Sequence, residues 1–202
     1  MDFLFITRCF DDKNIQTIKD NIKETFNYRK DCYLHCLICD LTHGANKEIF
    51  NKFKDDKTDV FFVENKKDGD KYCSEALDAV VNKYNDDVWV YVLDDDNILR
   101  YNFLKTKKYC KDSELVIFDA ERNDEFTWLC RPRGLTENNC IGQIDFSNML
   151  IKNSLAKRIG FYSKDSFSCD GEFMVNVLKN NIKFIQIPKV FAFYNKLKEI
   201  KK

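Results

Sequence analysis

Glycine and proline are scarce in this sequence, with 6 Gly and 2 Pro among 202 residues. Collagen-like, linker-rich and turn-rich repeat architectures use both in quantity and are excluded. Net charge is lacking too. The 33 Lys and Arg balance 33 Asp and Glu, so no global positive field exists to hold nucleic acid. No apolar run approaches the ~20 residues of a membrane-spanning helix. The opening MDFLFITRCF lacks the basic leader and long apolar stretch of a secretory signal, because Asp2 is acidic and Arg8 interrupts the run. What the chain does have is apolar mass: 44% hydrophobic residues and 18 Phe supply a real core. The expectation is one domain over residues 1–195 with a basic tail at 196–202. The expected location is cytoplasmic, in a bacterial cell or a virus-infected host cell, since abundant Lys, Asn, Asp and Phe suggest AT-rich coding.

The nine cysteines are odd in number and scattered through apolar runs, which reads as buried reduced thiols rather than a disulfide framework. Cys32, Cys36 and Cys39 have a C-x3-C-x2-C spacing that resembles the cluster motif of radical SAM enzymes. The stretch CYLHCLICD, however, reads as a buried strand. On a strand Cys32 and Cys36 face one side and Cys39 the other, which excludes a shared cluster.

The first half alternates strand and helix. Strands are expected at residues 2–7, 32–40, 59–64 and 88–93. Between them a helix carries Ile15, Ile18, Ile22 and Phe26 on one face, capped by Asp11 or Asp12. A short helix follows at 46–54, then one with Cys73, Ala76, Leu77, Val80, Val81 and Tyr84 on one side. Continuous apolar strands separated by helices imply a parallel sheet covered on both faces, an open doubly wound α/β arrangement. In the less regular second half, strands are expected at 115–118, 126–130, 183–187 and 190–194, and helices at 147–158 and 171–180.

Ligands of such sheets bind beyond the carboxyl ends of the strands. Those ends carry Thr7 and Arg8, Asp40, Glu64, and Asp94, Asp95 and Asp96. In WVYVLDDDN, residues 89–97, a buried strand stops abruptly in three carboxylates. Adjacent like charges repel, and a divalent cation with substrate phosphates would relieve that repulsion. The competing reading is a polar turn capping a helix that starts near Ile98. In SCDGEFMVNVLK, Asp170 and Glu172 open a helix, either as simple N-terminal acids or as a general base beside a metal-bound diphosphate. Asp145, in IGQIDF, is a third acid at the end of a short apolar stretch.

Taken in order, a first strand ending in Thr-Arg, an acid ending the second, a strand running into LDDD, and IGQID followed by CDGEF resemble the GT-A nucleotide-sugar glycosyltransferases, in particular the family-2-like members. The resemblance spans Phe3 to about Asn195. It implies a Rossmann-like open doubly wound mixed sheet with helices on both faces. It further implies transfer of one sugar from a nucleotide-sugar donor, UDP-linked, to an acceptor hydroxyl, with inversion. By the same resemblance Thr7 and Arg8 lie near the nucleotide base and Asp40 accepts a hydrogen bond from it. Asp94 contacts the ribose or base side and shares a Mn²⁺ or Mg²⁺ with Asp96, with Asp95 alongside. Asp170 is the catalytic base, Glu172 the alternative, and Asp145 faces the donor sugar or the acceptor. Both histidines, His35 and His43, come early, whereas many members have a late metal-binding histidine. The Q-x-x-R-W pattern of processive synthases is missing, which favours a single-sugar enzyme.

Two other readings compete. One is a non-catalytic nucleotide-sugar-binding module of the same fold. The other is a D-x-D-type Mg²⁺-dependent phosphatase, although its motif continues with Thr or Val where this chain has Ile98.

Overall fold

A computed structural model describes residues 2–27, 32–64, 69–122, 132–161 and 168–197. In chain order the elements are β1 (Phe3–Cys9), α1 (Ile15–Phe26), β2 (Tyr33–Asp40), α2 (Lys47–Asn51), β3 (Thr58–Val63), α3 (Gly69–Val81), β4 (Trp89–Val92), β5 (Ile98–Leu99), β6 (Leu115–Arg122), β7 (Met149–Lys152), α4 (Asn153–Ile159), α5 (Cys169–Lys179) and β8 (Ile185–Tyr194). The eight strands form one sheet in the order β3-β2-β1-β4-β7-β6-β8-β5. β1 pairs in parallel with β2 and β4, and β2 with β3. β7 is antiparallel to both β4 and β6, β6 is parallel to β8, and β5 is antiparallel to β8. The sheet is therefore mixed, with β6 and β8 running in the same direction as β4.

Side chains alternate across the sheet. On β1, Leu4 and Ile6 join one core with Ala76, Leu77 and Val80 of α3 and Phe173 and Val177 of α5. Phe3 and Phe5 point the other way, to Ile18, Ile22 and Phe26 of α1. Helices thus cover both faces; the expected apolar stripe of α1 is buried, as are Ala76, Leu77, Val80 and Val81 of α3, while Tyr84, just beyond that helix, is half-buried. Cys36 faces the first core and Cys39 a third cluster beside Cys9, while Cys32 is exposed. The alternation expected for the cysteines is present, and the described cysteines are free thiols. No helix among the described residues is long and apolar enough to cross a membrane.

Four local expectations need correction. Residues 147–158 are not one helix: a 3-10 turn at Phe146–Asn148 leads into β7, and only Asn153–Ile159 is α-helical. Met149, Leu150 and Ile151 are buried in mid-sheet between β4 and β6, and a short apolar run does not by itself distinguish buried strand from helix. Asn153 then ties α4 to the end of α3, its side-chain amide donating to the carbonyls of Val81, Tyr84 and Asn85 at 3.0, 3.1 and 3.0 Å. Second, Ile98 opens a two-residue strand on β8, not a helix. Third, residues 183–187 and 190–194 are not separate strands, because β8 runs through Pro188 at a register shift opposite Phe118 and Asp119. A proline without an N–H is tolerated at such a bulge. Fourth, α1 is preceded by Asn14 rather than capped by Asp11 or Asp12, and the Asn14 side chain is used elsewhere. The strand expected at 126–130 lies outside the described residues.

Candidate active site

β1 and β4 run side by side up to Ile6 and Val92, and the Leu93 N–H donates to the Ile6 carbonyl at 2.9 Å. Arg8 and Asp94, each two residues further on, therefore emerge at the same height on the carboxyl edge. They form a two-pronged ion pair, Nε to Oδ1 at 2.6 Å and Nη2 to Oδ2 at 2.7 Å. Their side chains are 20% and 19% exposed. A pair this well aligned and largely removed from water is far more specific than an exposed one. The Arg8 guanidinium also sits over the Phe146 ring, 5.9 Å from its centroid.

Thr7 points to the opposite side of β1. Its hydroxyl is fully buried and shares a 2.8 Å hydrogen bond with His35 Nε2 on β2. Burial drives the His35 pKa down to about 3, so this ring is neutral. Asp40, at the end of β2, is buried and accepts from the Thr42 N–H at 2.8 Å, capping the turn Leu41–His43.

Asp94 to Asn97 form a turn closed by the Asn97 N–H to the Asp94 carbonyl at 3.0 Å. Three contacts fix it. Asn14 donates to the Asp95 carbonyl at 2.9 Å, the Leu197 N–H to the Asp96 carbonyl at 2.9 Å, and the Asn195 N–H to buried Asn97 Oδ1 at 2.7 Å. Asn195, at the end of the domain, and Leu197, in the basic tail, are thus bound to the triple-aspartate turn. The Asp95 carboxylate turns back toward the Phe10 N–H, 3.4 Å away. Burial, and then the charge of Asp94, pushes its pKa up to about 7.

The second half delivers two more acids to the same place. Asp145 precedes the Phe146–Asn148 turn and accepts from the Ser147 N–H at 2.7 Å. Burial and the nearby Asp94 charge raise its pKa, and Arg8 opposes the rise. Asp170 lies in the first turn of α5, its Oδ1 accepting from the Gly171 N–H at 2.7 Å. Burial first, and the Asp145 charge second, push the Asp170 pKa up to about 7. Gly171 is what allows this approach. A Cβ there would come within 2.6 Å of the Ile141 Cα, so the loop leading to Asp145 and the start of α5 are in backbone contact. Glu172 instead accepts from the Ser168 hydroxyl at 3.1 Å, a local tie at the helix start.

Arg8, Asp94, Asp145 and Asp170 therefore converge, with Asp95 behind them and Glu172 turned to its own helix. Two neighbours escaped the sequence reading. Phe146 lies under the guanidinium. Tyr194 ends β8, its pKa raised by burial and then by Asp145, Asp94 and Asp96. Their signals were positional: Phe146 follows Asp145 directly, and a strand parallel to β4 must end at the same edge.

Among the described residues no three His, Cys, Asp or Glu side chains form a group able to hold a metal ion. Both Asp94 oxygens are engaged by Arg8. Asp96 is the other candidate ligand, and a site with one or two protein carboxylates suits an ion completed by substrate phosphates and water.

No family model matches the chain, and no curated protein matches it in sequence. Solved structures match its shape. The Pyrobaculum calidifontis mannosyltransferase PcManGT, solved with GDP-Man and Mn²⁺, aligns at TM-score 0.68 and 15% identity over 98% of this chain and 58% of its own. S. aureus TarS 1-349 aligns at TM-score 0.63 and 12% identity over 96% of this chain and 60% of its own. This fold is GT-A-like. A 4-diphosphocytidyl-2C-methyl-D-erythritol synthase, at TM-score 0.57 and 13% identity, covers all of this chain and 94% of its own. At such identities the likeness is one of fold. The chain spans about three fifths of PcManGT and of TarS 1-349 and nearly all of the synthase.

Proposed function

We propose that the chain is a glycosyltransferase of the hexosyl type, moving one sugar from a nucleotide-sugar donor, UDP-linked, to an acceptor hydroxyl with inversion. The observation that carries this reading is Asp170. It is a carboxylate beside the Arg8–Asp94 pair at the carboxyl edge of the sheet, with a pKa of about 7. An acceptor hydroxyl is a weak nucleophile until a base takes its proton, and a base works best when its pKa lies near the working pH. Asp170 takes that proton as the hydroxyl oxygen bonds to the anomeric carbon and the bond to the diphosphate breaks. Asp145 faces the sugar, and Asp94, anchored by Arg8, positions the ribose. Asp40 and Thr7 support the base-binding end from beneath. Mn²⁺ or Mg²⁺ held at Asp96 together with the donor would neutralise charge building on the leaving diphosphate.

Nucleotidyl transfer is the second reading, favoured by the alignment of this chain over 94% of the synthase. Residues 8–14, RCFDDKN, weigh against it. They offer no glycine to cradle a triphosphate and place Asp11 and Asp12 where phosphates would sit.

A thermal-shift screen of nucleotides and nucleotide sugars, with and without Mn²⁺, followed by product analysis, tests the proposal. A nucleoside diphosphate sugar should raise the melting temperature, because a ligand of the native state stabilises it, and should release nucleoside diphosphate. Release of pyrophosphate from a triphosphate would establish the second reading. Binding without turnover of any donor would reduce the protein to a binding module.

A further inference from the structure

We propose that Arg8 is a built-in counter-cation that keeps divalent ions off Asp94 in the free protein. Coordination of Mn²⁺ or Mg²⁺ needs carboxylate lone pairs at close range, and Arg8 already uses both Asp94 oxygens, at 2.6 and 2.7 Å. A dication at Asp94 would also meet the guanidinium charge at contact distance in a site where each side chain is about one fifth exposed, so water screens that repulsion poorly. The arrangement is fixed from several directions. The Leu93-to-Ile6 hydrogen bond of 2.9 Å locks the two strands at equal height. Phe146 packs against the guanidinium, and the turn carrying Asp94 is tied by Asn14, Asn195 and Leu197. Asp145 and Asp170 add acid around the same guanidinium, and Arg8 opposes the rise of both their pKa values. The acidic centre is thus balanced by a residue of the chain itself. The free protein should bind divalent ions weakly, and an ion should enter only with a phosphate-bearing ligand.

The test uses Mn²⁺ alone and is independent of any sugar-transfer activity. Mn²⁺ affinity is measured by calorimetry and by the electron-spin-resonance signal of free Mn²⁺, with near-UV circular dichroism as a check of fold. Arg8→Gln should bind Mn²⁺ about 10-fold more tightly than the parent, the size that outer-shell changes have at metal sites. Adding Asp94→Asn to that variant should remove the gain. Should Arg8→Gln fail to fold, Arg8→Lys replaces it. A point cation leaves one Asp94 oxygen uncovered, so this variant should also bind more tightly than the parent. The proposal is overturned if these Arg8 variants bind no more tightly, if the gain survives Asp94→Asn, or if Asp94→Asn alone weakens Mn²⁺ binding by the parent.

Discussion

The two halves of the chain solve different problems. Residues 2–93 build four parallel strands whose side chains are almost wholly apolar, with α1 on one face and α3 on the other. Residues 94–197 build mostly antiparallel pairings around one long parallel pair, β6 with β8, and they carry Asp94, Asp95, Asp145 and Asp170, most of them buried enough for their protonation to shift. The first half supplies rigidity and the cation of the site, Arg8. The second supplies acids placed at a cost in stability. The site forms where the halves meet, because only the β1–β4 edge brings a cation 86 residues away in sequence against those acids.

That division can be broken most severely from the first half. Phe5 is fully buried among Phe26, Tyr91 and Phe103. Phe5→Ala should cost about 3–5 kcal/mol in urea unfolding, as large-to-small core changes of this type do. A cost below that of a surface substitution would deny the parallel half its role as the rigid part. Where the halves are sewn together the cost should be lower. Asn153→Ala removes one donor from each of three carbonyls, which keep their other partners, and Gly171→Ala presses a methyl group into the Ile141 backbone. Each should cost about 1–3 kcal/mol by the same assay.

The second half makes the opposite prediction. Asp170 titrates at about 7 in the folded protein and near 3.9 when unfolded. Between those values the native state binds the extra proton, so stability falls as pH rises from about 4 to about 7 and stays low above. Asp170→Asn removes that loss. The variant should melt several degrees above the parent at pH 8, at roughly 2–4 °C per kcal/mol recovered, and match it near pH 4. A lower melting temperature at pH 8 would show that the acid stabilises the fold. The smallest effect belongs to the surface. The exposed Arg100–Glu121 pair should contribute less than about 1 kcal/mol in a double-mutant cycle.

The same contrast explains what could be read from sequence. Parallel strands buried on both faces are continuous apolar runs, and crossover helices show a clean stripe, so β1 to β4, α1 and α3 were legible. In the second half the apolar run Met149–Ile151 fits either state, Ile98–Leu99 is too short to carry a period, and Pro188 disguises one strand as two. The acids were legible as types at the ends of elements. Their grouping was not, because the Arg8–Asp94 fork and the backbone contact at Gly171 depend on strand order and helix docking.

The central claim is that Asp170 is the base of a sugar-transfer reaction, and its most direct test is the pH dependence of initial transfer rates for the parent and for Asp170→Asn. Donor affinity is measured alongside by calorimetry. In the parent, the rate should rise with pH through a midpoint near 7, where Asp170 loses its proton. In the variant it should fall by about 10²–10⁴-fold, the usual worth of general-base catalysis, with the pH step gone and donor affinity within a few-fold. A variant that turns over like the parent with the same pH profile would contradict the account.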